Sequence, residues 1–265
     1  MSDPLLAPAR ADSEAGPFVI AVTLDAQGVR DTAPHQHARG QLLGARRGLL
    51  TVGSEHGRWL VPASDAVWVP PQRLHSLRSH GAAFSGWSVY VAPADCAALP
   101  AQPVALRMSA LLSEMIERIA SWSAQLELDP AQARLGRAAL DEIVHCHVLG
   151  GDRIGLPMPR DPRALNVAQA LIDDPADPRG LAEWAAYAHL SERSLSRRFG
   201  EETGYSLLQW RQRAQLMRAV ERLAAGDAVT AIAMDLGYDS VSAFIAMFRR
   251  HLGATPTQYL KTLRG

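Results

Sequence analysis

Three histidines stand at spacings that can bring them around one small ligand. His35 and His37 are two residues apart, which puts both imidazoles on one face of a strand. Gln41 follows four residues later, and His75 comes after a stretch stiffened by two prolines. Neutral imidazoles and an amide oxygen are ligands that a divalent transition metal accepts. We therefore predict an effector or metal site formed by His35, His37, Gln41 and His75.

Other histidines and aromatic residues receive different interpretations. His56 and His80 lie beside glycine in turn-like stretches, so we expect them at the surface. His145 and His147 flank Cys146 on a predicted helix and must face different sides, which argues against a metal site there. Three tryptophans and Gln41 are expected near the mouth of the effector site, although such aromatic residues are more often core. These tryptophans are Trp59, Trp68 and Trp87.

A second set of candidate residues lies near the C-terminus and has the character of a DNA-reading helix. Residues 192–199 follow the turn at His189 and Leu190, and Ser191 is placed to cap them. Leu195 and Phe199 are four apart and must face the core. The residues that then project outward are Arg193, Ser196 and Arg197, with Arg198 at the flank. An exposed helix with arginines on its outer face suits insertion into a major groove.

The same arrangement occurs again about fifty residues later. Residues 230–236 form a short helix, Gly237 begins a turn, and Ser240 caps residues 241–251. Phe244 and Phe248 face inward by the same four-residue spacing. A helix over 207–224 joins the two copies. Two such units predict a pair of reading helices in successive grooves, with centres about 34 Å apart.

The rest of the chain must position these residues. Residues 17–93 contain short β-branched and aromatic runs between glycines and prolines, which predicts a small barrel or sandwich. Helical spacing of apolar residues begins after Pro103, and Asp129 with Pro130 begins a second helix. We predict an α+β multidomain fold with a β-barrel over 1–100, a helical extension over 101–150, a linker over 151–163 and an all-α domain over 164–265. The extension either packs on the barrel or forms a homodimer seam through Leu111, Met115 and Ile119.

Composition limits the class of protein. The 265 residues are 48% hydrophobic and carry 27 basic and 27 acidic side chains, so the chain is globular and any DNA contact depends on where charge is placed. We find no apolar run of about 18 residues and no signal peptide, and therefore expect a cytoplasmic protein with no membrane partner. Cys96 and Cys146 have neither disulfide nor metal spacing. No acid–base partner accompanies the histidines, so we do not expect an enzyme.

The C-terminal motifs resemble the DNA-binding domain of the AraC/XylS family of transcription regulators. The matching residues run from Leu181 through Leu190-Ser191-Glu192-Arg193 to Ser206, and from Ile232 through Leu236-Gly237-Tyr238 to Tyr259. The resemblance implies that Arg193, Ser196 and Arg197 face bases from the first unit. From the second unit it implies Val241, Ser242, Ala243, Ile245 and Ala246. Arg198, Arg249 and Arg250 are candidate DNA contacts that could equally clamp phosphates or remain solvated.

The family resemblance also implies partners and departures. The expected partners are double-stranded DNA, RNA polymerase, an effector and a candidate second copy of the chain, in activation or repression. His189 stands where the family usually has glycine, which is tolerable if the backbone there stays near the helical region. Ala246 stands where arginine is common, and few hydrogen-bond donors remain on that outer face. We therefore expect the first unit to supply most of the sequence discrimination.

The N-terminal histidines resemble the two motifs of cupin barrels, in which two His, a Glu and a later His bind a divalent metal. Gln41 replaces the usual Glu, and Gln72 stands where the second motif has glycine. Losing the carboxylate lowers the ligand charge, so metal affinity should fall and a bound anion could complete the shell. Three possibilities stay open: a metal site, a metal-free effector pocket and a structural histidine cluster.

Overall fold

The computed structural model describes residues 6–148 and 155–264, which form two compact units. The first unit contains a sheet and helices, and the second is almost entirely helical. The strands of the first unit are β1 (Val19–Gln27), β2 (Asp31–His35), β3 (Gly40–Ser54), β4 (Gly57–Val61), β5 (Asp65–Val69), β6 (His75–Val91) and β7 (Val104–Arg107). Its helices are α1 (Pro8–Ala11), α2 (Ala110–Ala120) and α3 (Pro130–Val148).

Two long strands organise the sheet. β6 pairs antiparallel with β1, β2 and β3, and β3 pairs with β5 as well. The β3–β6 register shifts twice between Ala45 and Leu49, as expected where a β-bulge bends a strand. Because β2 runs antiparallel to the first part of β6, the end of β2 lies beside the first residues of β6. His35 pairs directly with His75.

The two faces of the sheet bury different sets of side chains, as the alternation of a strand requires. One face carries Leu43, Val67 and Val69, which belong to a cluster of buried apolar side chains that we call the inner cluster. Leu42 and Trp68, one residue along from these, belong to the outer cluster that packs against α2 and α3. The expected barrel with a helical extension is therefore confirmed as a sheet domain covered on its outer face by two helices.

Helix α2 packs on its own sheet with most of the predicted stripe. Ile119 is 2% exposed and Met115 is partly buried against the outer cluster, whereas Leu111 is 54% exposed. Leu112 and Ile116 complete the buried face. Asp129 caps α3 by accepting from the backbone nitrogens of Ala131 and Gln132, as its position before Pro130 predicts.

Two sequence expectations about the first unit are wrong. Trp68 does not line the mouth of a site, because its side chain is fully buried in the outer cluster, where it covers Gly40 and donates to the Pro100 carbonyl at 2.9 Å. A Cβ at Gly40 would lie 2.3 Å from that ring, so only glycine fits there. His80 is not at the surface, since it is 9% exposed and lies 2.8 Å from the Thr51 hydroxyl.

The second unit consists of one short strand and seven described helices. They are β8 (Gly155–Pro157), α4 (Pro162–Asp173), α5 (Leu181–Tyr187), α6 (Glu192–Thr203), α7 (Leu207–Ala225), α8 (Val229–Asp235), α9 (Val241–Leu252) and α10 (Pro256–Arg264). The pairs α5–α6 and α8–α9 are the two expected helix-turn-helix units, and α7 joins them. No helix in the described ranges 6–148 and 155–264 is long and apolar enough to cross a membrane.

The start of the second unit differs from the sequence expectation in detail. Of the linker predicted over 151–163, residues 151–154 lie outside those described. Within the described part, β8 packs on α7 through the Trp210 indole nitrogen, which donates to the Pro157 carbonyl at 2.7 Å. Helix α4 begins at Pro162, two residues before the helical region predicted from Ala164, because Asp161 accepts from two backbone nitrogens of its first turn.

The turns of the two helix-turn-helix units have the same backbone path. The backbone N–H of Leu190 donates to the carbonyl of Ala185 at 2.9 Å, and the backbone N–H of Tyr238 donates to the carbonyl of Ala233 at 3.0 Å. The matching turn residues are His189, with φ of +51°, and Gly237, with φ of +77°. His189 therefore does not meet the condition under which histidine was expected to be tolerable there, namely a backbone near the helical region. The repeat supplies glycine at one of two equivalent left-handed positions and histidine at the other.

We predict that His189→Gly raises the stability of the second unit. A left-handed backbone costs an L-residue about 1–2 kcal/mol, and glycine removes that strain but adds chain entropy to the unfolded state. The expected net gain in unfolding free energy is about 0.5–1 kcal/mol, measured by urea unfolding. Gly237→Ala is the matched control and should lower stability. A loss of stability in His189→Gly would contradict the strain argument.

Candidate DNA interface and effector site

The first reading helix, α6, presents the residues that its pattern predicts. Leu195 and Phe199 are fully buried, and the ring of Phe199 packs edge-on against Trp210. Ser191 caps the helix by accepting from the Ser194 nitrogen at 3.2 Å, and Gly204 ends it with φ of +77°. The residues left exposed on the opposite face are Arg193, Ser196 and Arg197.

The arginines of α6 differ in how they are engaged. Arg193 makes no ion pair with any residue that the structure describes. Arg197 pairs with Glu201 at 2.8 Å on the exposed surface, a contact worth little in water and easily exchanged for a phosphate or a base. Arg198 is more enclosed and pairs with Asp161 at 2.6 Å. The geometry therefore assigns Arg198 to holding α4 against α6.

The second reading helix, α9, has a different outer surface. Phe244 and Phe248 are fully buried, and Ser240 caps the helix through the Ala243 nitrogen at 3.2 Å. Val241 and Ile245 are half-buried, and the exposed residues include Ser242, Ala243 and Ala246. Within residues 241–246, the first half of α9, Ser242 carries the side chain that can form hydrogen bonds. Arg249 and Arg250 are exposed at its C-terminal end and make no ion pair within the described chain. Exposed arginines of this kind can contact phosphates, and such contacts fix the position of a protein on DNA but carry no sequence information.

The first unit brings the predicted effector residues together. The nitrogen atoms that His35, His37 and His75 can offer a metal all lie within 4.8 Å of one another. Gln41 Oε1 lies 3.0 Å from Nε2 of both His37 and His75. His37, Gln41 and His75 are buried, and His35 is half-buried. His37 lies just beyond the end of β2, and the Gln72 nitrogen donates to its carbonyl at 3.0 Å.

Backbone carbonyls fix the protons of all three imidazoles. Nδ1 of His35, His37 and His75 lies 3.0, 2.7 and 2.8 Å from the carbonyls of Ala33, Arg39 and Arg73. A carbonyl only accepts, so Nδ1 donates and each neutral ring keeps a lone pair on Nε2. Metal-binding histidines are commonly oriented in this way, with the other ring nitrogen donating to a carbonyl.

The turn before His75 contains one departure from the cupin pattern. Gln72 has φ of +58°, a left-handed backbone. Glycine, the residue of the cupin motif at this position, would adopt this backbone without strain. The turn holds His75 against the strand end that carries His35.

Sequence reasoning missed several polar groups of the site. Gln41 donates its amide nitrogen to Ser88 Oγ at 3.1 Å and to Tyr90 Oη at 3.0 Å. Ser88 and Tyr90 stand two apart on β6, and that alternation could have identified both as inward-facing. Arg39 was missed as well, because its partners lie 22 to 29 residues earlier in the chain.

Arg39 holds the N-terminal segment 6–17 beside the histidine cluster. Its side chain is 0% exposed, and its guanidinium donates to four backbone carbonyls at 2.8 to 3.2 Å. The carbonyls belong to Arg10, Ser13, Ala15 and Pro17. Burial lowers the pKa of Arg39, although a guanidinium remains charged at physiological pH. This contact fixes the segment that borders the recess next to His35 and His37.

Two recesses lie beside the candidate effector residues. A narrow cavity of about 30 Å³ is bordered by His35, Gln41 and Tyr90 together with several apolar side chains. A second, more open recess of about 270 Å³ lies beside the N-terminal segment. Both recesses are bordered by Thr32, His35 and Tyr90. Trp87 borders the narrow cavity as expected, whereas Trp59 and Trp68 border neither.

Acid should destabilise the first unit through His75. Burial lowers the pKa of His75 to about 3, so the folded ring stays neutral while the unfolded one takes up a proton below about pH 6.5. The stabilisation is therefore complete above pH 6.5 and is lost as the pH falls. At pH 5 the loss from His75 alone is about 2 kcal/mol. Burial also lowers the pKa of His37 and adds in the same direction.

The measurement is urea unfolding of chelator-treated protein at pH 7.5 and pH 5.0. Between these pH values, His75→Gln should lose less unfolding free energy than the unmodified chain. The exposed control His145→Ala should lose as much as the unmodified chain does. An equal loss in His75→Gln and in the unmodified chain would contradict the assignment.

The fold and the sites define a transcription regulator with a helix-turn-helix DNA-binding domain and a ligand-binding domain. The family model of the AraC-like ligand-binding domain matches residues 20–135, and that of a helix-turn-helix domain matches residues 184–262. The chain is 34% identical over 233 residues to the HTH-type transcriptional regulator NimR of Escherichia coli K12, covering 88% of this chain and 84% of that protein. The chain belongs to the AraC/XylS family of transcription regulators.

Two further likenesses cover different shares of the chain. It is 34% identical over 141 residues to the HTH-type transcriptional regulator RipA of Corynebacterium glutamicum, covering 52% of this chain and 41% of RipA. Among solved structures, ToxT from Vibrio cholerae O395 aligns over 93% of this chain and 98% of its own, at 11% identity and a TM-score of 0.42.

Proposed function

We propose that this regulator reads its operator mainly with α6 and responds to a divalent transition metal held by His35, His37, Gln41 and His75. The DNA part of the proposal rests on the contrast between the two reading helices. Arginine can make two hydrogen bonds to a guanine edge, and α6 exposes Arg193 and Arg197 beside Ser196. Helix α9 offers Ser242 and small apolar side chains, which can contact thymine methyl groups. Contact with RNA polymerase is part of the same proposal and follows from family membership.

The metal part rests on one observation: three lone pairs converge with no proton between them. Gln41 Oε1 lies 3.0 Å from Nε2 of His37 and 3.0 Å from Nε2 of His75, and all three atoms are acceptors. Such an arrangement is unfavourable unless a cation occupies its centre. The separation of 3.0 Å is near the edge of about 3.3 Å of a tetrahedron with bonds of about 2.0–2.1 Å. A bound ion would supply positive charge beside the narrow cavity, which His35 and Gln41 border.

Direct metal binding tests the proposal. Chelator-treated full-length protein is titrated with Co²⁺ and Zn²⁺, and visible absorption of Co²⁺ together with calorimetry reports on binding. We expect one ion per chain, with affinity lowered at least tenfold in His37→Ala and unchanged in His145→Ala. Gln41→Glu should tighten binding about ten- to a hundredfold, because it restores the missing carboxylate charge.

One outcome would overturn the metal proposal. If the unmodified chain binds neither ion while Gln41→Glu binds them, the Gln41 amide presents its nitrogen to the rings and the cluster is held by hydrogen bonds alone. The same result would favour a metal-free effector pocket, the second possibility left open by the sequence.

A further inference from the structure

One residue that lines the narrow cavity in the first unit is an arginine whose guanidinium has no partner among the described residues. Arg30 is half-buried and borders this cavity. Its backbone is held on both sides by Ser79, since its nitrogen donates to Ser79 Oγ at 2.8 Å and its carbonyl accepts from the Ser79 nitrogen at 2.8 Å. Its side chain makes no hydrogen bond or ion pair with any group that the structure describes. A partly desolvated cation is costly unless something pairs with it.

The surroundings of Arg30 define what could pair with it. The described lining of the cavity includes no carboxylate. Hydroxyl groups of Thr32, Ser79 and Tyr90 border the same space. Burial raises the pKa of Tyr90 to about 12, so its hydroxyl keeps its proton at neutral pH and can donate. A guanidinium among hydroxyl donors fits an anion with oxygen acceptors, and a carboxylate matches its two parallel N–H groups.

The remaining walls are apolar and limit the size of the ligand. They are formed by Leu24, Leu43, Leu50, Leu77, Phe84 and Trp87. The cavity volume of about 30 Å³ holds roughly two or three water molecules. A larger ligand must displace side chains of the wall, so the ligand has a charged head and an apolar body of only a few carbon atoms.

We infer that the narrow cavity of the first unit binds a short-chain monocarboxylate, with its carboxylate on Arg30 and its carbon chain on the apolar wall. This inference deepens the proposed effector-binding function, because it names the chemical class of a small-molecule effector at that site. It does not require the metal, since Arg30 is separate from the histidine cluster and charged without it. A bound ion at the histidines would add a second positive charge beside the same cavity.

Calorimetry and thermal unfolding of chelator-treated full-length protein test the inference with propionate as the probe. We expect saturable propionate binding and a rise in Tm, and neither effect with propionamide, which has the same shape without the charge. Arg30→Gln should weaken propionate binding about ten- to a hundredfold, as expected for loss of charge-assisted hydrogen bonds. Arg30→Lys should keep part of the affinity. The exposed Arg47→Gln on β3 is the matched control and should bind as the unmodified chain does.

A second variant keeps the test independent of Arg30. Leu43→Phe adds volume to the apolar wall and should also abolish binding, whereas the unliganded protein should still unfold cooperatively. Equal affinity of the unmodified chain and Arg30→Gln for propionate overturns the inference. Binding of octanoate that is as tight as binding of propionate overturns it as well.

Repeating the titration with Co²⁺ present separates the carboxylate inference from the metal proposal. Propionate binding that needs the metal but not Arg30 supports the metal site and overturns the role of Arg30. Binding that needs Arg30 in a chain that takes up no metal does the reverse.

Discussion

Arg197→Ala is expected to weaken binding to the operator by about ten- to a hundredfold. It should also relax base preference at one position of the first subsite, the part of the operator that α6 contacts. The reason is that a bidentate arginine contact with a base is worth about 1–3 kcal/mol of discrimination. Arg197 is exposed on α6, and its partner Glu201 is exposed as well, so the ion pair does not hold the side chain away from DNA. The operator is first obtained by selection from random duplexes, and affinities are compared at fixed salt.

Two variants bracket this prediction. Ser242→Ala on α9 should change operator preference little, because the second reading helix supplies few hydrogen bonds to bases. Arg134→Ala, an exposed arginine on α3 of the first unit, is the charge-matched control and should leave DNA binding unchanged. If Arg197→Ala kept the operator preference while Ser242→Ala abolished it, the assignment of discrimination to α6 would be wrong.

Arg39→Leu is expected to lower the unfolding free energy of the first unit by about 2–4 kcal/mol. The substitution removes one guanidinium but leaves four carbonyl groups of the N-terminal segment without their donors, and unsatisfied buried polar groups cost about 1–3 kcal/mol each before relaxation. Urea unfolding gives the magnitude. Limited proteolysis gives the location, because segment 6–17 should become the first site of cleavage.

The controls for Arg39 separate the shape of the guanidinium from its charge. Arg39→Lys keeps the charge but has no planar fork, so it should recover only part of the lost stability. Arg46→Leu removes a surface arginine that pairs with Glu117, and should cost at most about 1 kcal/mol. A stable, protease-resistant Arg39→Leu protein would show that the carbonyls find other donors.

Much of the second unit could be predicted because its helix ends are encoded locally. Ser191 and Ser240 cap the reading helices, and Gly204 and Gly253 end them in the left-handed conformation, all within a few residues of the helix that they delimit. The same reasoning applied to Asp161 and Pro162 would have placed the start of α4 correctly. Neighbouring prolines and glycines made that stretch resemble a linker.

The first unit was harder to predict because its contacts join distant residues. The three histidines could be predicted as a cluster, since two share a strand end and the third follows a stiff turn. Trp68 lies on the opposite face of the sheet from Val67 and Val69, which the alternation along β5 already indicates. Nothing local to Arg39 or Arg30 indicates their surroundings, because the partners of Arg39 and the cavity around Arg30 are assembled by the sheet.

The length of α7 has a consequence for the operator. A continuous helix of 19 residues is about 28 Å long and contains no hinge between the two helix-turn-helix units. Adding about five base pairs between the two subsites turns the second one to the far side of the duplex. Adding about ten base pairs returns the second subsite to the same side of the duplex but moves it a further 34 Å along the axis. A single chain therefore has no means of accommodating variable spacing within its own site, and its binding sites should share one fixed length.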